Sequence, residues 1–201
     1  MIVITIDQRR SRSGPDKVES LLRRLDSEYN AVRGFERTAG DELQGVLDDG
    51  VMAVALALDV AHTGEWSVGI GVGSVQTPLP RETRAGRGQA FEYARDAVER
   101  AKNSSGALAL SGPGPEAERI EAELQLLALV NARRTKTSAE AGTLVSQGLT
   151  QQQVAARLEI SQQAVSARLA SGLWYETTRL TDLAGRALAD YSMTMEGGQN
   201  S

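Results

Sequence analysis

Residues 150–169 read TQQQVAARLEISQQAVSARL. Thr150, followed three residues on by Gln153, has the pattern of a capping box, so a helix is expected to begin there. Val154, Ala155 and Leu158 recur at helical spacing and define its inner side. Glu159, Ile160 and Ser161 break the pattern and make a turn, with Ile160 as its apolar plug. Ser161 suits the N-cap of a second helix. On that helix Val165 and Leu169 face inward, while Gln162, Gln163 and Ser166 face outward. The stretch therefore predicts two short helices joined by a tight turn.

A hairpin of this shape can lay its second helix in the DNA major groove. Gln pairs bidentately with adenine and Ser tolerates several base edges. The stretch resembles the helix-turn-helix of many bacterial regulators, with their GLTQQEVA…ISQQAVS pattern. An ordinary helical hairpin with two hydroxyl caps is the bland alternative. The resemblance implies Gln162, Gln163 and Ser166 as base readers, with Gln151 and Ser161 beside them. Thr150, Arg157 and Arg168 are then the candidates for phosphate.

The charge distribution agrees. The chain has 201 residues and a net charge of −4. Between Asn131 and Tyr175, however, five bases (Arg133, Arg134, Lys136, Arg157, Arg168) face two acids, Glu140 and Glu159. A local basic patch is what phosphate contact needs. The patch is small, so dimerisation would help, and a homodimer on double-stranded DNA is the expected assembly. There is no cysteine, which excludes disulfides and thiolate metal sites, and the single histidine argues against a His-rich zinc site. No leader and no apolar run of membrane-spanning length is visible, so a cytoplasmic protein without membrane contact is expected.

Upstream, the pattern changes. Ile2–Ile6 (IVITI) is a β-branched run and predicts a buried strand. A helix follows from Ser13-Gly14-Pro15 to about Tyr29, with Val18, Leu21, Leu22 and Leu25 on one stripe. Gly34–Thr38 and Leu43–Leu47 predict two strands around the turn Ala39-Gly40-Asp41-Glu42. Val51–His62 reads as a buried helix, Trp66–Val75 as a strand, Gly88–Lys102 as a helix and Ala107–Leu110 as a strand. The order β-α-β-β-α-β-α-β suggests an α+β domain of ferredoxin-like type, with its helices on one face of the sheet.

Ser111-Gly-Pro-Gly-Pro115 marks a break. A connecting helix follows over 113–134, with Ile120, Leu124, Leu127 and Val130 in a stripe and Glu116, Glu118, Glu121 and Glu123 on a wet face. Two readings stay open: the stripe pairs with its twin across a dimer, or it packs on its own domain. The expected division is residues 1–112 for the α+β domain, 135–192 for the helix-turn-helix domain and 193–201 for a loose tail.

Three stretches of the front domain resemble the catalytic domain of class III nucleotide cyclases and the smaller SatD-type proteins that share its pattern. Asp7 ends the first strand. Arg37-Thr38-Ala39-Gly40-Asp41-Glu42 resembles the cyclase K-T-x-G-D hairpin, and Gly40–Gly45 (GDELQG) resembles the GDEFQG-like segment of SatD proteins. Val68-Gly69-Ile70-Gly71-Val72-Gly73 resembles the G-I-x-x-G strand, and Gly88–Ala97 the G-x-A-x-x-x-A-R helix. The resemblance covers most of residues 1–110 and implies a nucleotide cyclase-like fold with Asp7 and Asp41 as ligands of a Mg²⁺ ion that travels with a nucleotide. Converging carboxylates repel unless a proton or cation lies between them, and Mg²⁺ accepts one or two carboxylates plus phosphate oxygens. Arg9, Arg10, Arg12 and Arg37 are the candidates for the nucleotide. The other reading makes the acids turn formers and the arginines a solvated loop.

Cyclases also carry an Asn and an Arg on the helix that Gly88 would open. Glu92 and Asp96 take those positions here, and an acid cannot replace a cation that stabilises phosphoryl charge. The sequence thus favours a DNA-binding transcriptional regulator whose front domain binds a nucleotide or mediates dimerisation. The alternative is a metal-dependent nucleotide cyclase, or other nucleotide-processing enzyme, with an appended DNA-binding domain.

Overall fold

Alternation along the first strand (β1, Ile2–Gln8) sends Ile2, Ile4 and Ile6 to one side of a sheet and Val3, Thr5 and Asp7 to the other. In the computed structural model, which describes residues 1–10, 14–104 and 106–197, the protein is α+β. The remaining strands are β2 (Arg33–Arg37), β3 (Glu42–Leu47), β4 (Trp66–Val72) and β5 (Leu108–Ser111). Their order is β2-β3-β1-β4-β5, antiparallel throughout except that β5 runs parallel to β4. The sheet is therefore mixed, and the predicted strand order along the chain is the observed one.

The eight helices of the described residues are α1 (Val18–Glu28), α2 (Gly50–His62), α3 (Gln89–Ala101), α4 (Pro115–Arg133), α5 (Lys136–Ser146), α6 (Gln151–Leu158), α7 (Gln162–Ser171) and α8 (Trp174–Gly197). Among them none is long and apolar enough to cross a membrane. Helices α1, α2, α4 and α8 share one core with the isoleucine face of β1 and with Val68, Ile70, Val72, Leu108 and Leu110. α2 is hydrophobic nearly all round because it lies at the centre of that layer, capped by Asp49, whose Oδ1 accepts from the N–H groups of Val51 and Met52.

The sequence suggested helices on one face of the sheet; the structure has them on both. α3 covers the opposite face alone, packing Ala90, Phe91 and Ala94 against Val3 and Val46, and Ala97 and Ala101 against Ala109. The cause lies in β4. A Cβ at Gly69 would stand 2.2 Å from Val98 N, and one at Gly71 would stand 2.1 Å from Ala90 O. These two glycines let the α3 backbone rest on the strand; alternation places them opposite Val68, Ile70 and Val72 but does not say which helix they receive.

The stripe on α4 resolves in favour of its own domain. Ile120, Leu124 and Leu127 are fully buried within the chain, so they are not available to a twin helix. Nor is the acidic face of α4 uniformly wet. Glu121 accepts from Arg100 at 2.5 Å and from Leu110 N at 3.1 Å, and so holds the edge strand β5 in place.

The second difference concerns α8. The expected tail begins at 193, but the helix continues to Gly197, and residues 198–201 lie outside the described residues. Its first turn carries Trp174 in the core of the three short helices, while Ala184, Leu188 and Tyr191 belong to the core beside the sheet. Gly50 and Gly185 let α2 and α8 meet backbone to backbone, a Cβ at Gly50 falling 2.6 Å from Gly185 O. Tyr191 donates to Pro113 O at 2.7 Å. The division at 135–192 therefore assigns to the helical unit a helix whose second half completes the sheet domain.

Candidate functional site

Two surfaces collect the residues singled out from the sequence. The first is built by α5, α6 and α7 around Ala141, Val154, Ala155, Val165 and Leu169, with Leu158 and Ile160 partly buried against them. The capping box forms: Thr150 Oγ1 accepts from Gln153 N, and Gln153 Oε1 accepts from Thr150 N at 2.8 Å. Glu159 closes α6 in the left-handed conformation, φ 55°. Ser161 Oγ accepts from Ala164 N at 3.1 Å and starts α7.

This arrangement leaves Gln162, Gln163 and Ser166 exposed on one side of α7. Together with Gln151 and Ser161 they line a shallow cavity of about 360 Å³. Arg157 is exposed on α6, Arg168 is half-buried on α7, and Thr150 is exposed with its hydroxyl engaged in the cap; none of the three lines that cavity. A tyrosine not included among the site residues joins the surface: Gln151 Nε2 donates to Tyr175 Oη at 3.1 Å. Tyr175 comes from α8, so only the return of that helix brings it beside α6.

Arg134 leaves the basic patch. Its guanidinium lies 4.6 Å from the Trp174 ring centroid and donates to Gly172 O and Thr177 Oγ1. Burial pulls its pKa below the usual arginine value. It joins α4, α7 and α8, and a phosphate would have to break that joint to reach it.

The second surface lies at the end of β1. Asp7 pairs in register with Glu42 on β3 and with Ser67 on β4. Asp41 sits in the hairpin before β3, and its carbonyl accepts from Gln8 N at 3.3 Å. Both aspartates line a cavity of about 510 Å³, together with Gln8, Arg9, Arg10, Ser67 and Lys102. Arg12 lies outside the described residues. Arg37 does not line the cavity; it binds Asp16 at 2.5 Å.

Lys102, the C-cap of α3, was not singled out from the sequence. Its Nζ lies 3.1 Å from Asp7 Oδ2 and 2.6 Å from Glu99 Oε1. Burial raises the Asp7 pKa above the usual carboxylate range against the opposing pull of Lys102, and the nearby Asp41 and Glu99 charges add to the rise. Burial pulls the Lys102 pKa down, but hydrogen bonds to Glu99 and Asp7 outweigh it and leave the ammonium above its ordinary value. No periodic signal marks Lys102; its place depends on where α3 ends over the sheet.

A Mg²⁺ between Asp7 and Asp41, which the cyclase resemblance implies, does not suit this donor set. Two carboxylates here face three cations, and one of those cations already touches Asp7.

Glu92 and Arg95 line a separate cavity near the start of α3. Asp96 accepts from Ser111 Oγ at 2.7 Å and from Arg100 Nε at 3.3 Å, a polar staple between α3 and β5. The hydrogen bond from Ser111 holds its carboxyl below the usual range. The remaining residues keep structural places: Trp66 is buried in the core, and His62 ends α2 on the surface. No protein-family model, curated protein or solved structure matches the chain.

Proposed function

We propose that the protein is a sequence-specific DNA-binding transcriptional regulator. The observation that carries this reading is the exposed row Gln162, Gln163 and Ser166 on α7, beside Gln151 and Ser161, on a helix pair with a capped, well-packed turn. The arrangement supports a helix-turn-helix assignment: α7 enters the major groove while the N-terminus of α6, with Thr150, faces the backbone. Arg157 and Arg168 supply phosphate contacts at the flanks. A homodimer would present two such helices to half-sites about 34 Å apart.

The front domain is read as ferredoxin-like and cyclase-like. The order β2-β3-β1-β4 with antiparallel neighbours supports this, β5 being an addition on the β4 edge. In this reading the Asp7–Asp41 cleft holds a nucleotide, which adjusts DNA affinity to the extent that it binds two states unequally, or the domain mediates dimerisation. The enzymatic alternative has the paired aspartates in its favour. Against it stands Asp96, whose carboxylate is committed to the staple on β5 where a cyclase has its phosphoryl-stabilising cation.

The test is selection of bound duplexes from fragments of the host genome, followed by Gln163→Ala. A site should emerge, and the variant should lose about 1–3 kcal/mol of discrimination at one or two base pairs. Equal losses on selected and random duplex would show that Gln163 does not read bases. Failure to enrich any site at low salt, with nucleotides present, would overturn the proposal.

A further inference from the structure

The cleft at the end of β1 contains an ammonium where its acidic pair would otherwise call for a metal. Lys102 Nζ is 3.1 Å from Asp7 Oδ2, and Glu99 holds it from the other side at 2.6 Å. A cation at the C-terminal end of α3 also suits the helix dipole, so this lysine is favoured in place by three separate interactions. A divalent ion seated between Asp7 and Asp41 would have to displace that ammonium or bear its repulsion at contact range. Arg9 and Arg10 add two more cations to the same walls.

An independent feature points to what the cleft receives. Ser67 stands opposite Asp7 on β4, is fully buried, lines the cavity, and its Oγ has no hydrogen-bond partner. Buried hydroxyls in folded proteins are normally satisfied. A ligand oxygen entering between Ser67 and Lys102 would accept from both. Lysine binds phosphate as a point charge and needs no metal to do so.

We infer that Lys102 is the resident cation of the Asp7–Asp41 cleft, and that the cleft grips the phosphates of its ligand directly, through Lys102, Arg9 and the Ser67 hydroxyl, without a divalent ion. This rests on the reading of the cleft as a nucleotide site. In it, Asp7 is a positioning residue that holds Lys102 over the opening. The phosphate chain is the recognised group.

Two titrations of the full-length chain test it. In the first, calorimetry follows inorganic tripolyphosphate in buffer with EDTA, and again in buffer with Mn²⁺ in place of EDTA. The unsubstituted chain should bind, Lys102→Gln should bind at least about tenfold more weakly, and Lys102→Arg should restore most of the loss. In the second, Mn²⁺ alone is followed by electron paramagnetic resonance. The unsubstituted chain should bind it weakly, and Lys102→Gln, by freeing Asp7 beside Asp41, should gain at least about tenfold in Mn²⁺ affinity. The gain should vanish when Asp41→Asn is added. Tripolyphosphate binding that requires Mn²⁺, or a Mn²⁺ affinity indifferent to Lys102→Gln, would overturn the inference. If tripolyphosphate binds in neither buffer, the nucleotide reading beneath the inference fails, and the phosphate half of the inference falls with it. The Mn²⁺ titration separates that outcome from a failure of the cation substitution itself.

Discussion

Replacing Gly71 by alanine places one methyl group where α3 already touches the sheet. The added carbon would lie 2.1 Å from Ala90 O, 2.3 Å from Ala94 N and 2.8 Å from Ala94 Cα, whereas ordinary contact begins at 3.4 Å. All three atoms are helix backbone, so no flexible side chain can swing aside. The helix must lift, loosening Ala90, Phe91 and Ala94 from Val3 and Val46. Overpacking a close-packed core costs roughly 1–3 kcal/mol, and a backbone-on-backbone clash belongs at the upper end, about 3 kcal/mol. With a urea slope of about 2 kcal/mol/M, the midpoint should fall by about 1.5 M. Circular dichroism in a urea series reads this, with Gly34→Ala as the control. Gly34 is exposed on the edge strand β2 and has nothing within 4 Å of a built Cβ, so its change should stay within about 0.5 kcal/mol. Equal midpoints for the two variants would refute the claim that β4 glycines set the seating of α3.

Other substitutions bear on other parts of the fold. Leu124→Ala on α4, a fully buried site, should cost about 2–5 kcal/mol in the same urea assay and leave the chain's oligomeric state in sedimentation unchanged; a change of state without loss of stability would restore the dimer reading of that stripe. Thr150→Ala removes the capping box and should cost about 1 kcal/mol, read as a lower thermal midpoint; no change would mean the cap is dispensable. Burial pushes the Tyr191 phenol to about 12. The unfolded phenol ionises near 10, so stability is intact below pH 10 and declines as pH rises toward 12, by up to about 2 kcal/mol. Tyr29, also raised to about 12 chiefly by burial, contributes in the same direction, so Tyr191→Phe should flatten the alkaline decline without abolishing it. An unchanged pH profile in Tyr191→Phe would count against the buried phenol.

Much of the architecture is written in local chemistry. The β-branched run at Ile2–Ile6, the Gly40 hairpin, the capping box at Thr150 and the Ser161 cap each act within a few residues, and each forms where its own pattern places it. The grouping of Gln162, Gln163 and Ser166 follows from helical period alone. The proximity of Asp7 and Asp41 was suggested by the motif and is realised because β1 and β3 pair in register from Ile2↔Leu47 to Asp7↔Glu42.

What tertiary structure alone decides has a common physical origin in distance along the chain. Lys102 reaches Asp7 only because two glycines let α3 lie low over β4 and end above β1. Arg134, by sequence one base in a basic patch, is taken up by Trp174, which lies forty residues further on. α8 looks like the close of a helical unit, yet Ala184, Leu188 and Tyr191 find their apolar partners on α2, α4 and the sheet. Side-chain periodicity specifies which face of an element seeks burial. It does not specify against what, since that choice is made when elements remote in sequence compete for the same surface.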